Sequence, residues 1–145
     1  MQSALRTAAA GLIGNVLEWF DYAVYGYFST EIGRQFFPDS IGKDNQQLWA
    51  LWVFWIGFAV RPVGGIVLGM VGDRIGRRAL LTLSITLMGA ATLLIGLLPG
   101  YATIGPLAPI LLVLCRAIQG FSLGGEFTGS MVYTTELASP LIRGI

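Results

Sequence analysis

An all-α fold, specifically an integral membrane bundle of four transmembrane helices, is what the sequence predicts, and three observations predict it. The 145-residue chain is 54% hydrophobic and only 12% charged, with a mean hydropathy of +0.70, where a soluble domain carries about 25% charged residues. Four apolar runs, residues 8–28, 48–71, 80–98 and 107–133, have the roughly 20-residue length that crosses a hydrocarbon core of about 30 Å. The 20 glycines lie largely inside these runs, where closely packed membrane helices favour small residues.

The same composition excludes several functions. A net charge of +1 leaves no basic face for nucleic acid. With no His and the single Cys115, no internal disulfide, thiolate or imidazole metal site, or Cys/His nucleophile is available. No metal, no cofactor and no enzymatic activity are expected.

Each element follows in order. Run 8–28 carries Asn15, Glu18 and Asp21 and is followed by no small-residue cleavage site, so it reads as a helix rather than a signal peptide. Residues 29–47, with Glu31, Arg34, Asp39, Lys43 and Asp44, read as a solvated loop. Run 48–71 opens with Trp49, Trp52 and Trp55, indoles that suit either the membrane interface or ordinary packing. Its Pro62 either kinks the helix or is tolerated as membrane prolines are. Residues 72–78 read as a short loop holding Arg74, Arg77 and Arg78, and 99–106 as an uncharged connection; Glu136, Pro140 and Arg143 follow the fourth run. Short loops rich in Lys and Arg stay cytoplasmic. Arg6, the 74/77/78 cluster and Arg143 therefore outweigh Arg34 and Lys43 on the opposite side, and the N-terminus is expected in the cytoplasm.

Five ionisable side chains fall inside the runs: Glu18, Asp21, Arg61, Arg116 and Glu126. Each costs roughly 2.5 kcal/mol or more at the bilayer centre, so such residues face a polar interior, pair, or serve transport. Glu18 and Asp21 share a helix face with Asn15, Tyr22 and Tyr25 on or beside it. Two carboxylates so close form either a proton-binding site, one being raised by repulsion and desolvation, or structural partners of Arg61 or Arg116. Arg116, Gln119, Gly120 and Leu123 share one side of the fourth helix. Depth counted from helix ends pairs Arg116 with the first helix and Glu126 with Arg61. The spacings Gly65-x-x-x-Gly69, Gly120-x-x-x-Gly124 and Gly125-x-x-x-Gly129 suit close helix packing.

These residues also carry a resemblance. The segment Gly69-Met70-Val71-Gly72-Asp73-Arg74-Ile75-Gly76-Arg77-Arg78 resembles in full the cytoplasmic loop 2–3 motif of the major facilitator superfamily. Arg116-Ala117-Ile118-Gln119-Gly120 with Gly124-Gly125-Glu126, and the stretch from Glu136 to Gly144, resemble its helix 4 and loop 4–5 motifs. Gly14-Asn15-Val16-Leu17-Glu18-Trp19-Phe20-Asp21-Tyr22 and Arg61-Pro62-Val63-Gly64-Gly65 resemble the metabolite:proton symporters, carriers of small organic acids or of compatible solutes such as proline and betaine.

The resemblance implies that residues 1–145 are a partial N-terminal transmembrane domain, part of the first six-helix half of a major facilitator fold, whose C-terminal helices would be its partners. It implies a proton-coupled symporter of organic acids or zwitterions, working by alternating access in the cell's inner (plasma) membrane. Glu18, Asp21, Arg116 and Glu126 would serve proton coupling. Arg61, with Tyr22, Tyr25 and Gln119, would bind substrate, the planar guanidinium fork suiting a carboxylate. Gly69, Asp73, Arg74, Gly76, Arg77, Arg78, Glu136 and Arg143 would form a cytoplasmic gate, the alternative being that the arginines only fix topology. The competing readings are an osmolyte carrier, a non-transporting four-helix remnant, and a small multidrug pump acting as a dimer.

Overall fold

In the computed structural model, residue 16 and residues 18–137 are described, with only the helical backbone described at 77, 78 and 127–137. Arg6, Asn15, Pro140 and Arg143 lie outside the described residues. All regular structure among those residues is helical: α1 over 18–27, α2 Ser29–Phe36, a 3-10 turn Asp39–Ile41, α3 Lys43–Ile75, α4 Arg77–Leu97, α5 Tyr101–Ile104 and α6 Leu107–Leu137.

Hydropathy located the helices but not their ends. The expected solvated loop 29–47 is instead mostly helical. Phe28 accepts and donates helical hydrogen bonds of 2.9 Å across the turn between α1 and α2, so the chain leaves the first apolar run without losing its backbone ladder. Ser29, Gly33 and Phe36 recur at helical spacing on the buried face of α2, while Glu31 and Arg34 form an exposed 3.0 Å pair opposite. α2 is an amphipathic surface helix, whose periodicity a search for uniformly apolar runs passes over. Phe36 and Phe37 enter the main apolar cluster with Ala50, Val53, Ala108 and Leu112. Buried Gln46 ties the segment down, donating from Nε2 to the carbonyls of Phe37 and Pro38 at 3.2 and 3.1 Å and to Asp39 at 3.2 Å.

α3 is 33 residues long, about 50 Å at 1.5 Å per residue, and therefore overshoots a 30 Å core at both ends. The expected seven-residue loop after it shrinks to Gly76, because Gly72 to Ile75 continue the helix. Gly76, at φ +92°, takes the left-handed conformation that ends α3 and starts α4. α3 runs on through Pro62 without a break in its helical assignment, as a tolerated membrane proline would.

Three helical stretches, Lys43–Ile75, Ala79–Leu97 and Leu107–Glu126, are long and apolar enough to cross a membrane. The run 8–28 lies partly outside the described residues. Half of the apolar stretch of α6 is buried inside the protein, against about a fifth for α3 and α4. α6 is thus the central helix, packed on both others, and large apolar side chains such as Trp52, Ile66, Leu93 and Leu97 point outward, as a lipid-facing surface requires.

Glycines set the α3–α6 crossing. A Cβ on Gly120 would collide with the Gly57 backbone, one on Gly64 with the Phe121 backbone, and one on Gly124 with the backbone of Arg61 and Gly65. The expected packing role holds for Gly65, Gly120 and Gly124. At Gly69, nothing among the described residues lies within 4 Å of an added Cβ.

Candidate functional site

The close α3–α6 crossing brings Arg61 and Arg116 to one side of the pair, and α1 lays its two carboxylates against them. Glu18 and Asp21 are three residues apart, about 4.5 Å along a helix axis, and each meets a different helix. Arg116 Nη1 donates to Asp21 Oδ2 at 2.7 Å. Arg61 Nη1 lies 2.9 Å from Glu18 Oε1, which also accepts a 2.7 Å hydrogen bond from the Tyr22 hydroxyl. The expected pairing of Arg116 with the first helix is therefore present. The expected pairing of Arg61 with Glu126 is not: Glu18 reaches Arg61 first, and Glu126, half-buried on α6, joins no ion pair among the described residues.

Aromatic rings hold both guanidinium groups. Arg61 sits over Phe58 and Tyr22, 4.3 and 4.9 Å from their centroids, and Arg116 sits 3.8 Å from the Tyr25 centroid. A cation over a ring face gains roughly 0.5–2 kcal/mol, most when desolvated. Buried Tyr25 donates to the Ala50 carbonyl at 2.9 Å and stacks on Phe54. Gln119, also buried, donates to Thr92 Oγ1 at 2.7 Å. Tyr22 and Gln119 line the cavity between the pairs, whereas Tyr25 backs Arg116 from behind.

The two pairs differ in access. The side chains of Arg116 and Asp21 are 7% and 16% exposed, those of Arg61 and Glu18 23% and 22%. The cavity lined by Asp21, Tyr22 and Arg116 has about 10 Å³ of free space, whereas the open one lined by Glu18, Phe58, Arg61, Pro62, Gly65 and Leu123 has about 590 Å³. The first has room for about one water molecule. The second takes an organic solute.

Phe54 and Phe58 were missed by sequence reasoning although their spacing exposes them: Phe58 lies one turn and Phe54 two turns before Arg61 on α3. Of the expected gate, Asp73 and Arg74 stand exposed at the end of α3 and Gly76 caps it. The side chains of Arg77, Arg78 and Glu136, and all of Arg143, lie outside the described residues. No group of His, Cys, Asp and Glu among the described residues is suited to a metal.

Membrane-length apolar helices packed around charged pairs, beside an open cavity, define a multi-pass membrane protein with a polar interior. The profile of the family described as Sugar (and other) transporter matches residues 7–145, and the chain belongs to that family of the major facilitator superfamily. Similar proteins include the proline/betaine transporter of Salmonella typhimurium, 44% identical over 96% of this chain and 28% of that protein. The proline/betaine transporter of Escherichia coli is 42% identical over 96% of this chain and 28% of its own length. A putative proline/betaine transporter of Staphylococcus haemolyticus is 47% identical over 94% of this chain and 29% of its own length. The chain thus spans less than a third of these relatives. No solved structure matches it.

Proposed function

We propose that this chain is the N-terminal part of a secondary transporter that carries small zwitterions of the proline and betaine type together with protons, by alternating access. The observation that carries the choice of substrate is the one-to-one matching of charge at the site. Both guanidinium groups already face a carboxylate, so the described half of the cavity offers no uncompensated cation to a citrate-like di- or trianion. A zwitterion, neutral overall, enters such a site without leaving a net charge unmatched in low dielectric. The names of the similar proteins support the same choice.

Three carboxylates meet two guanidinium groups, and Glu126 is the one left over. It is the carboxylate we assign to the proton, with Glu18, Asp21 and Arg116 as the other members of the coupling set. Run 8–28 supplies the fourth crossing of this N-terminal domain, 1–145. The excess of Lys and Arg places the N-terminus and the α3–α4 connection on the cytoplasmic side of the inner membrane, where Asp73 and the neighbouring arginines gate the cavity with Glu136 and Arg143.

The test is uptake by proteoliposomes holding the full transporter that contains this sequence, under an imposed inward proton gradient. Proline and betaine should accumulate, and citrate and 2-oxoglutarate should not. Accumulation of the organic acids without the zwitterions would refute the reading.

A further inference from the structure

The two ion pairs are built differently, and the difference assigns them different roles. Arg116 is clamped: its side chain is almost fully buried, a ring lies against it, and the adjoining free space holds about one water. Arg61 lines that small space too, but it also borders the 590 Å³ cavity; it spends only Nη1 on Glu18, and its Nε–H, like that of Arg116, is buried without a hydrogen-bond acceptor. An arginine engages a carboxylate best through two parallel N–H donors. Both arginines are therefore incompletely satisfied by their present partners, and Arg61 is the one that stands beside open space.

Glu18 is prepared for the complementary event. The Tyr22 hydroxyl donates to the same Oε1 that Arg61 contacts, so Glu18 keeps a hydrogen bond when the guanidinium turns away. A buried charge cannot lose its partner without cost, and removing one member of a buried pair typically costs several kcal/mol. The Glu18–Arg61 contact, partly withdrawn from water, therefore opens most favourably for a ligand that compensates both ends at once.

We propose that the Glu18–Arg61 pair is an exchangeable lock that selects zwitterions: the substrate carboxylate takes Arg61 through two parallel N–H donors of its guanidinium fork, and its cationic centre takes the Glu18 carboxylate that Arg61 releases. This rests on the zwitterion reading above and adds the residues and the selection rule. One ion pair becomes two, and no charge is left alone. A lone anion would strand Glu18, and a lone cation would strand Arg61, so each is rejected although each finds an attractive partner. Discrimination by leaving a buried polar group unpaired is stronger than discrimination by shape. Because the locked groups are in contact at 2.9 Å, the favoured zwitterion has its two charges separated by a short spacer, as an α-amino acid or an N-methylated glycine has.

Competition for radiolabelled betaine uptake in proteoliposomes with the full transporter tests this. Two probes retain half of betaine each: tert-butylacetate keeps the carboxylate and replaces the ammonium by carbon, and choline keeps the ammonium and lacks the carboxylate. In the wild type both should compete at least tenfold more weakly than betaine. Glu18→Gln should weaken betaine tenfold or more while shifting the tert-butylacetate-to-betaine ratio of inhibition constants at least tenfold toward the anion. Arg61→Gln should shift the choline-to-betaine ratio in the opposite sense, toward the cation.

Either probe matching betaine in the wild type would overturn the lock, and that comparison decides alone if a variant fails to reach the membrane. Parallel weakening of all three ligands in the variants, with ratios unchanged, would make the pair structural and overturn it as well. Failure of the wild type to move proline or betaine at all would instead strike the underlying substrate reading.

Discussion

Replacing Gly120 by Ala tests the helix crossing that places both guanidinium groups. A Cβ there would lie 2.7 Å from the Gly57 carbonyl carbon and 2.9 Å from its Cα, and nearer still to the carbonyl oxygen, where ordinary contacts begin at 3.4 Å. Backbone cannot turn aside as a side chain can, so α3 and α6 must part by roughly 0.7 Å or more, and unrelieved overpacking of this kind costs about 1–3 kcal/mol. That corresponds to roughly 5- to 150-fold in the folding equilibrium. The strain falls one turn from Arg116 and so also loosens its 2.7 Å contact with Asp21. Thermal unfolding of the full transporter in detergent, followed by loss of the monodisperse peak in size-exclusion chromatography, reads the effect. Gly69→Ala is the control, since an added Cβ there meets nothing among the described residues within 4 Å and Ala gains up to about 1 kcal/mol of helix propensity over Gly. If Gly120→Ala proved as stable as Gly69→Ala, the α3–α6 interface would be looser than described and the placement of the ion pairs would lose its basis.

Asp21→Asn should destabilise the protein by about 3–5 kcal/mol, because it strands a buried Arg116; the double variant Asp21→Asn/Arg116→Gln should recover part of that loss in the same unfolding assay. Gln46→Ala should cost about 1–3 kcal/mol by leaving the Phe37 and Pro38 carbonyls short of a donor, read as a lower unfolding temperature with substrate affinity unchanged. Membrane-impermeant thiol labelling should reach Lys43→Cys from outside and Arg74→Cys only from the cytoplasmic side, in a Cys115→Ser background; the reverse pattern would invert the topology. Asp73→Asn should cut transport while preserving expression, and wild-type transport in that variant would reduce the loop cluster to a topology signal.

The sequence disclosed depth along the helices but not rotation about them. Arg116 could be levelled with the first helix by counting residues from helix ends, and the structure pairs it with Asp21. The same counting matched Arg61 with Glu126, which share a level but not a partner. Which side of α1 turns toward α3 is a matter of helix rotation, and spacing alone does not give it. Helix ends were missed for a related reason: hydropathy marks where the apolar run begins and stops, whereas hydrogen bonding carries α3 on through Lys43 to Gln47 and Gly72 to Ile75. α2 escaped because its apolar face is one residue in three or four, within a charged stretch. Phe58 drew no notice until the position of Arg61 gave its ring face a charge to hold, and Phe54 none because it holds the tyrosine rings rather than a charge.

The charge-matched site makes a direct electrical prediction. A zwitterion contributes no net charge, so its co-transport with a proton must carry positive charge inward, whereas a dianion carried with two protons is electrically silent. Proteoliposomes with the full transporter, adsorbed on a solid-supported membrane in sodium-free buffer, should give an inward-positive current on a rapid jump in betaine concentration. The current should disappear in Glu126→Gln while betaine still binds. A wild-type response that is silent to betaine, or that arises with citrate instead, would contradict the zwitterion and proton account.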